Sequence, residues 1–413
     1  MSSVTEETLR IERFGAQGDG VAAGADGPVF IPYTAPGDLV RAQVKGDRGR
    51  ILDIVEPSPD RRTPPCRHFG TCGGCVAQHL ADAPYTEWKR RQIVEALAAR
   101  GLATEVETPV RSPELSRRRA VFAARRAKGG WRIGFRARGS RDLVPLSECV
   151  VLRPALTAFL NAASHLLSLL PKKTDAAALH VTETGTGLDV SLDKTGLDPF
   201  SREAHALIAA GSELGLARLS LDGDPLIQFR APQLEIAVAR VTLPPRAFLQ
   251  ATAAGEAALR QLARAGIGEV RRVADLFSGI GTFAFELARR AEVRAFEGDR
   301  AAVEALNAAT VAPGMKPVRA ERRDLFRRPL EKDELSRFDA VLFDPPRAGA
   351  KDQAERLAAS DVPRIVAVSC NPATFARDAR ALADGGYRLS RVAPVDQFLY
   401  AAHIELVGVF ERS

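Results

Sequence analysis

The last third of the chain alternates between short apolar segments and segments with helical spacing, and this alternation constrains the fold more than any other feature. The apolar segments that we interpret as strands lie at 273–276, 293–296, 317–320, 340–343 and 365–368. Helical segments separate most of them, and two more strands, at 387–394 and 403–410, end the pattern. It predicts an α/β domain with a parallel sheet, helices on both faces and a final antiparallel strand at the edge.

The first part of the chain has a different pattern. Residues 9–56 form short apolar stretches that are separated by glycines, which predicts a small β-barrel. Such barrels bind oligonucleotides or serve as packing modules. A length of 413 residues favours several domains. We therefore predict a β-barrel at 1–56, a central α/β region at 57–250 and a Rossmann-like domain at 251–413.

Composition narrows the class of protein. Hydrophobic residues make up 46% of the chain and charged residues 26%, which is ordinary for a globular enzyme. No apolar run reaches the roughly 18 residues that suggest a membrane span, and no signal peptide is visible at the N-terminus. Five cysteines, an odd number, fit a reducing cytoplasm better than a disulfide framework. We expect a cytoplasmic protein without a membrane segment.

Positive charge is concentrated in one stretch. The formal net charge is +7, a modest bias towards a polyanionic partner. Residues 117–141 contain nine arginines, one lysine and no acidic residue, interleaved with Phe122, Trp131 and Phe135. Cationic and planar side chains together suit phosphates and unstacked bases, which predicts RNA as the partner. A solvated arginine-rich hairpin would show the same composition.

Four of the five cysteines, Cys66, Cys72, Cys75 and Cys149, lie in the first part of the chain. Four thiolates suit either zinc or an iron–sulfur cluster. The first three follow a Cys-x5-Cys-x2-Cys pattern and the fourth is remote, which is not a standard zinc-finger spacing. The pattern therefore favours an iron–sulfur cluster, with a structural zinc as the alternative.

A glycine-rich loop follows the first strand of the C-terminal pattern, in Asp275-Leu276-Phe277-Ser278-Gly279-Ile280-Gly281. The glycines let the backbone approach a ligand, but Ala284 stands where a dinucleotide site prefers a third glycine. Glu297, at the end of the second strand, suits ribose hydroxyls, and Asp324, after the third, suits an adenine amino group. Together they fit S-adenosylmethionine, although each carboxylate alone is equally typical of a strand end.

Two further motifs, Asp344-Pro345-Pro346-Arg347 and Ser369-Cys370-Asn371-Pro372, end the fourth and fifth strands and so face the same crevice. Carbon 5 of a pyrimidine becomes nucleophilic when a thiolate adds to carbon 6, which predicts that Cys370 is a nucleophile. The proton on carbon 5 must then leave, and Glu405, inside an apolar strand, is the candidate base. The alternatives are a buried core thiol for Cys370 and an outward-facing residue for Glu405.

These motifs together resemble the RNA uracil-5 methyltransferases, with Arg377-Asp378 and His403-Ile404-Glu405 adding to the match. The cysteine pattern, with Gln78-His79, resembles the branch of that family that modifies 23S ribosomal RNA, and the N-terminal barrel resembles its TRAM domain. The resemblance implies that Cys370 is the nucleophile and Glu405 the base. The cofactor-binding residues that it implies are Gln250, Phe277, Glu297, Asp344 and Asp324. The ligands of a [4Fe–4S] cluster that it implies are Cys66, Cys72, Cys75 and Cys149.

The expected activity is therefore S-adenosylmethionine-dependent methylation of carbon 5 of a uridine in 23S rRNA, by a monomer. The tRNA branch of the family generally lacks the cysteine cluster, which favours ribosomal RNA. The alternatives are methylation of a tRNA uridine, methylation of cytosine carbon 5, and an RNA-binding or assembly factor without catalytic activity.

Overall fold

The computed structural model describes residues 4–193 and 195–412. Its N-terminal part is a closed five-stranded barrel with the strand order β1-β2-β3-β5-β4. Its strands are β1 (Thr5–Phe14), β2 (Asp19–Gly24), β3 (Gly27–Pro32), β4 (Leu39–Lys45) and β5 (Arg48–Glu56). Alternate apolar side chains such as Ile11, Ile31 and Val40 point inward and fill it. The predicted small barrel is thus confirmed.

The central part combines three helices with a seven-stranded sheet in the order β13-β12-β11-β10-β7-β8-β9. Its helices are α1 (Asp82–Ala98), α2 (Pro154–Ser168) and α3 (Arg202–Glu213). The sheet strands are β7 (Arg119–Ala127), β8 (Gly130–Arg136), β9 (Leu143–Pro145), β10 (Ala176–Thr184), β11 (Gly187–Asp193), β12 (Arg218–Leu221) and β13 (Asp224–Gln228). Apolar residues of α2 and α3 share one core with this sheet.

The aromatic residues of the arginine-rich stretch do not form the RNA-stacking surface that the sequence predicted. Phe122 and Trp131 are buried, and Phe135 packs against the same core, where it stacks on Phe122. In a strand, alternate side chains point to opposite faces of the sheet. The rings occupy the inward positions of β7 and β8, and several arginines take the outward ones.

The C-terminal part is an eight-stranded sheet in the order β19-β17-β16-β20-β21-β23-β22-β6. Its strands are β6 (Val110–Arg111), β16 (Arg272–Leu276), β17 (Glu292–Glu297), β19 (Val318–Arg322), β20 (Ala340–Phe343), β21 (Arg364–Ser369), β22 (Tyr387–Asp396) and β23 (Glu405–Arg412). The helices are α4 (Ala253–Ile267), α5 (Ala284–Leu287), α6 (Arg300–Asn307), α7 (Lys332–Leu335), α8 (Lys351–Ala358) and α9 (Pro372–Asp384). A three-stranded sheet consists of β14 (Gln233–Ile236), β15 (Ala239–Thr242) and β18 (Thr310–Val311).

The prediction of an α/β domain with a parallel sheet is confirmed, because β16, β17, β19, β20 and β21 run parallel to their neighbours. The prediction of an antiparallel strand at the edge is wrong. The last strand, β23, lies between β21 and β22, and the edge is occupied by β6 from the central region, parallel to β22. The helix predicted at 283–290 is shorter, because turns flank the single helical turn of α5.

Two apolar cores cover the two faces of the C-terminal sheet. One of them includes Ile93 and Leu97 of α1, so the central region packs directly on this domain. None of the helices in residues 4–193 and 195–412 is both long and apolar enough to cross a membrane.

Candidate active site

The pairing of two adjacent strands brings Cys370 and Glu405 together. Ser369, the last residue of β21, pairs with Leu406, the second residue of β23, in antiparallel register. Cys370, which directly follows β21, and Glu405, the first residue of β23, therefore lie opposite each other. Glu405 is only 4% exposed, whereas Cys370 is half-buried at the crevice wall. The sequence placed Glu405 inside a strand; the structure places it at the buried start of one.

The loops that carry the two short motifs are joined by side-chain hydrogen bonds. The Nδ2 atom of Asn371 donates to the carbonyl oxygen of Arg347 at 3.1 Å, and Thr374 Oγ1 donates to the same oxygen at 3.3 Å. Asn371 also caps α9, since its Oδ1 accepts from the Ala373 amide at 3.1 Å. Cys370 is therefore fixed in a strand-to-helix turn, against the loop that begins at Asp344.

The crevice disfavours negative charge. The pKa of Glu405 is raised to about 8, chiefly by burial and also by the neighbouring Asp344, against a hydrogen bond from Gln397 and the charge of Arg119. Burial raises the pKa of Asp344 to about 7. Burial and both carboxylates raise the pKa of the Cys370 thiol to about 11, which Arg347 partly opposes. A bound cation would favour the ionised form of all three groups.

Gln250 lies at the same place, linked to the candidate base. It is 3% exposed, and its Oε1 accepts a hydrogen bond of 2.5 Å from Gln397 Nε2, which also donates to Glu405 Oε1 at 3.2 Å. Sequence reasoning missed Gln397, because a glutamine between two strands carries no motif. Its place directly after Asp396, at the end of an apolar strand, was the available signal.

The glycine loop forms a cradle on the cofactor side of the crevice. Both oxygens of Glu297 accept backbone hydrogen bonds, from the Gly279 amide at 2.9 Å and from the Asp299 amide at 2.8 Å. Phe277 has a positive φ of 61°, an unusual backbone conformation for a residue with a side chain. A Cβ atom on Gly281, at φ 96°, would lie 2.5 Å from Phe285, so this turn requires glycine.

A second aromatic residue, which the sequence did not reveal, faces the cradle. The ring of Phe326 lies 5.4 Å from that of Phe277 and is half exposed. The carboxylate of Asp324 already has partners in its own turn, since its Oδ1 accepts from the amides of Phe326 and Arg327 at 3.1 and 3.3 Å. Its carboxylate thus shapes the turn that presents Phe326.

The four remaining cysteines line one cavity of about 470 Å³, together with residues of the loop that leads to Glu405. Burial raises the pKa of the Cys75 thiol to about 12 and also raises the pKa of Cys72 and Cys149. Within residues 4–193 and 195–412, no group of three or more histidine, cysteine, aspartate or glutamate side chains is arranged to hold a metal ion. The four-thiolate metal site that the sequence predicted is therefore not formed as a set of close ligands.

A buried ion pair anchors the loop between β22 and β23, and the sequence did not reveal it. Lys89 of α1 lies 3.0 Å from Asp396 and donates at 2.5 Å to the carbonyl oxygen of His403. The Tyr85 hydroxyl donates to Asp396 at 2.5 Å and accepts from the Tyr400 amide at 2.9 Å. The position of Glu405 thus depends on contacts made by α1 of the central region.

Comparison with known proteins identifies the family. A family model described as tRNA (uracil-5-)-methyltransferase matches residues 271–413. An uncharacterised RNA methyltransferase of Caulobacter vibrioides is 47% identical over 98% of this chain and 100% of its own length. The 23S rRNA (uracil(1939)-C(5))-methyltransferase of Chromohalobacter salexigens is 35% identical over 99% of this chain and 90% of its own length. The chain belongs to the RNA uracil-5 methyltransferase family.

A solved structure shows the same fold over nearly all of the chain. The Pyrococcus abyssi tRNA (uracil-54, C5)-methyltransferase, in complex with S-adenosyl-L-homocysteine, matches with a TM-score of 0.76 and 23% identity. The match covers 98% of this chain and 99% of the other. The family uses S-adenosylmethionine, and the crevice fits it: Ser278 has a buried hydroxyl oxygen without a hydrogen-bond partner among the described residues, beside the Glu297 cradle.

Proposed function

We propose that this RNA uracil-5 methyltransferase modifies a uridine of 23S rRNA through a covalent bond between Cys370 and carbon 6 of the uracil, with Glu405 as the base. The observation that carries the chemistry is the register of β21 and β23, which sets the thiol opposite the buried carboxyl group. The choice of ribosomal RNA is supported by the Chromohalobacter salexigens relative, whose name specifies 23S rRNA and which aligns with 99% of this chain.

The proposed reaction begins when Cys370 releases its proton to solvent and the resulting thiolate adds to carbon 6, so that the electrons of the carbon 5–carbon 6 double bond move towards carbon 5 and the O4 carbonyl. S-adenosylmethionine would supply an electrophilic methyl group to carbon 5, leaving S-adenosyl-L-homocysteine. Glu405 then removes the proton from carbon 5, and that electron pair reforms the double bond and expels the Cys370 thiolate. The base is used after methyl transfer, so the two residues act in different steps.

The raised pKa values of the groups in the crevice suit the binding of a positively charged cofactor. With a pKa of about 11 for Cys370 and about 8 for Glu405, both groups are mainly protonated at neutral pH in the free protein. A positive charge beside Asp344 and Glu405 favours their ionised forms, and because it balances the negative charge of Asp344, that carboxylate opposes the Cys370 thiolate less. Cofactor binding would therefore activate the nucleophile and the base together.

The residues that would hold the cofactor are those of the cradle. Glu297 has lone pairs left on both oxygens for ribose hydroxyls, and the ring of Phe277 offers a face to the adenine. Asp344, directly after β20, would stabilise the positive charge of the sulfonium group. Gln250 faces the reacting groups, and Asp324 keeps a weaker role because its carboxylate already accepts hydrogen bonds from its own turn.

We propose a [4Fe–4S] cluster, bound by Cys66, Cys72, Cys75 and Cys149, in the cysteine cavity. The support is that all four thiols line this one cavity although Cys149 is remote in sequence. A single zinc needs its sulfur ligands about 2.3 Å from one point, and the described residues offer no such close group. A cluster of several iron and sulfide ions spans more space, and burial disfavours free thiolates until iron replaces their protons.

The proposed RNA surface includes the outward face of β7 and β8. Arg125 and Arg132 are exposed and lie directly opposite each other in the strand pairing. Like charges in that position destabilise a sheet, and neither arginine has an ion-pair partner among the described residues, so phosphates are a fitting counterion. Near Gln250, the ring of Phe248 is 63% exposed, and the Arg119 guanidinium lies 4.7 Å from its centre, a surface for an unstacked base.

Transcripts of 23S rRNA and of tRNA, each offered to the purified holoenzyme with the cofactor, test this function directly. We expect 5-methyluridine in the ribosomal RNA, and a stable protein–RNA complex on a denaturing gel when 5-fluorouridine replaces the target, because fluorine cannot leave as a cation. Methylation of the tRNA alone would overturn the proposed substrate. Methylation by a Cys370→Ala variant would overturn the proposed chemistry.

A further inference from the structure

Gln397 has no role in the proposed reaction, but it lies between Gln250 and Glu405, which do. Gln397 is in the loop after β22 and is only 2% exposed. Its side chain makes three hydrogen bonds, to the backbone amide of Ala251, to Gln250 and to Glu405. A buried amide with such contacts is a structural link between the base and a residue contributed by the segment before α4.

The direction of the Gln397 amide follows from one of these bonds. The Ala251 backbone amide donates to it at 2.6 Å. A backbone N–H group can only donate, so the atom of Gln397 that it meets is the carbonyl oxygen Oε1. The other end is therefore the Nε2 amino group, whose two hydrogens match the two remaining contacts, to Gln250 at 2.5 Å and to Glu405 at 3.2 Å.

The same reasoning fixes the direction of Gln250. The atom that meets the Gln397 amino group must accept, so it is Oε1, and the Gln250 Nε2 group points the other way. Within the described part of the chain, that Nε2 group has no protein acceptor. It is a free donor beside Glu405. Uracil presents carbonyl oxygens that accept from such a donor, whereas the 4-amino group of cytosine is itself a donor.

We propose that Gln397 is a positioning residue that holds one oxygen of the Glu405 carboxyl group and turns the Gln250 amide so that its N–H group faces the pyrimidine. This inference rests on the proposed function, because it assigns Glu405 as the base and a uracil as the substrate. It goes beyond that function because it assigns to one buried side chain, Gln397, a part in both proton removal and the distinction between uracil and cytosine.

The charged groups around Glu405 show why its hydrogen bond with Gln397 matters for its pKa. From the loop after β20 the carboxyl group of Asp344 opposes the ionisation of Glu405, and from β7 the charge of Arg119 favours it. Cys370 of the neighbouring strand is a further titratable group at this place. The Gln397 amide is the hydrogen-bond donor that lowers the pKa of Glu405 against burial. Without this donor, the carboxyl group would need a higher pH to act as a base.

The test uses Gln397→Met, which keeps the size of the side chain and removes the three hydrogen bonds, and Gln397→Glu, which keeps the acceptor for Ala251 and removes the donor. The matched control is Gln353→Met, since Gln353 is equally buried and bonds to the backbone of Leu330, with an amide contact of 2.8 Å. Each holoenzyme is mixed with cofactor and 23S rRNA transcript, and adduct formation and adduct resolution are timed separately on denaturing gels across a range of pH.

We expect both Gln397 variants to form the covalent complex at close to the wild-type rate and to resolve it about 10- to 100-fold more slowly, the effect of one lost hydrogen bond to a charged group. The pH midpoint of resolution should rise. With a transcript that carries cytidine at the target, their preference for uridine should fall by about 10-fold. Gln353→Met should change neither property.

Two results would overturn the inference while leaving the proposed function intact. One is a Gln397 variant that resolves the adduct like the wild type at every pH. The other is an equal slowing of formation and resolution without a shift of the pH midpoint, which is the mark of general destabilisation. If the wild-type enzyme formed no uracil adduct, the proposed function would fail, and the inference would fail with it.

Discussion

Two places in this molecule are built around cysteine, and they are built in different ways. Cys370 lies at the end of a strand, opposite Glu405, and the register of the sheet sets their relation. The other four cysteines lie on loops around one cavity and form no close set of metal ligands within the described residues. The first site has its geometry before any ligand binds. In our proposal the second acquires its final geometry when a cluster binds.

The difference shows which parts of a site the fold alone can fix. Hydrogen bonds between β21 and β23 fix the backbone that leads into Cys370, and Asn371 ties the turn that follows it to Arg347. The cysteine cavity depends instead on turns and on a single β-bridge between Cys72 and Ala137. We expect variants at the first site to abolish chemistry without unfolding the protein, and variants at the second to lower stability and reach chemistry indirectly.

The largest effect is expected from Cys370→Ala. Without the sulfur, carbon 5 is not activated, so methylation should fall on the order of 1,000-fold or more. Bound cofactor, measured by calorimetry, and bound iron should be unchanged. A comparable loss of iron in this variant would remove the distinction between the two cysteine sites.

Glu405→Gln is expected to slow turnover by about 100- to 10,000-fold, the usual range for loss of a general base. Thiolate addition and methyl transfer come before proton removal, so this variant should accumulate methylated RNA bound to the protein. A denaturing gel with radiolabelled methyl groups detects that complex. Free methylated RNA at the wild-type rate would show that another group is the base.

Cys75→Ser addresses the other side of the comparison. Anaerobically purified wild-type protein should be brown and contain iron and sulfide, and the variant should hold on the order of tenfold less of both, with a lower unfolding temperature. Cys370→Ala is the matched cysteine control and should keep the colour. Colourless wild-type protein with one stoichiometric zinc would contradict the proposed cluster.

The buried base also predicts a pH dependence of stability. Since folding raises the pKa of Glu405 from 4.5 to about 8, the folded state binds the proton more tightly than the unfolded state does. Its stabilising contribution is complete below the lower value and is lost as the pH rises through the upper one. Between pH 6 and 8, the free energy of unfolding of the wild type should therefore fall by roughly 2 kcal/mol more than that of Glu405→Gln. Parallel pH profiles in urea titrations would contradict the buried position.

The smallest effect is expected from Arg125→Gln with Arg132→Gln. Loss of two phosphate contacts should weaken RNA binding about 10-fold and lower the slope of log K against log salt by roughly 1.4 to 1.8. Arg300→Gln with Arg327→Gln, two exposed arginines of the C-terminal domain, is the control pair. Equal RNA affinity in both double variants would leave the outward face of β7 and β8 as an ordinary solvated surface.

The residues that sequence reasoning found are those whose position follows from the fold class. Parallel strands end at one edge, so Glu297, Asp344 and Cys370 were expected to meet there, and the structure brings these residues to one crevice. The barrel and the strand boundaries were likewise predicted to within a few residues. These features depend on local pattern and on a topology that recurs in many proteins.

The features that sequence reasoning missed depend on contacts between distant segments. Nothing in the sequence around Lys89 shows that it meets Asp396, 307 residues away. Gln397 carries no motif, and its role emerges only from the direction of its hydrogen bonds. Phe122 and Trp131 were assigned to RNA because composition does not show which face of a strand is buried.

The position of β23 has a consequence for the order in which the protein becomes an enzyme during its synthesis. It is synthesised after β21 and β22, yet it lies between them in the sheet, and Glu405 is its first residue. Until it is made, those two strands present open edges to each other. Glu405, the proposed base, therefore reaches the crevice only after Cys370 and both neighbouring strands have been made, and a nascent chain that contains Cys370 but not yet β23 lacks it.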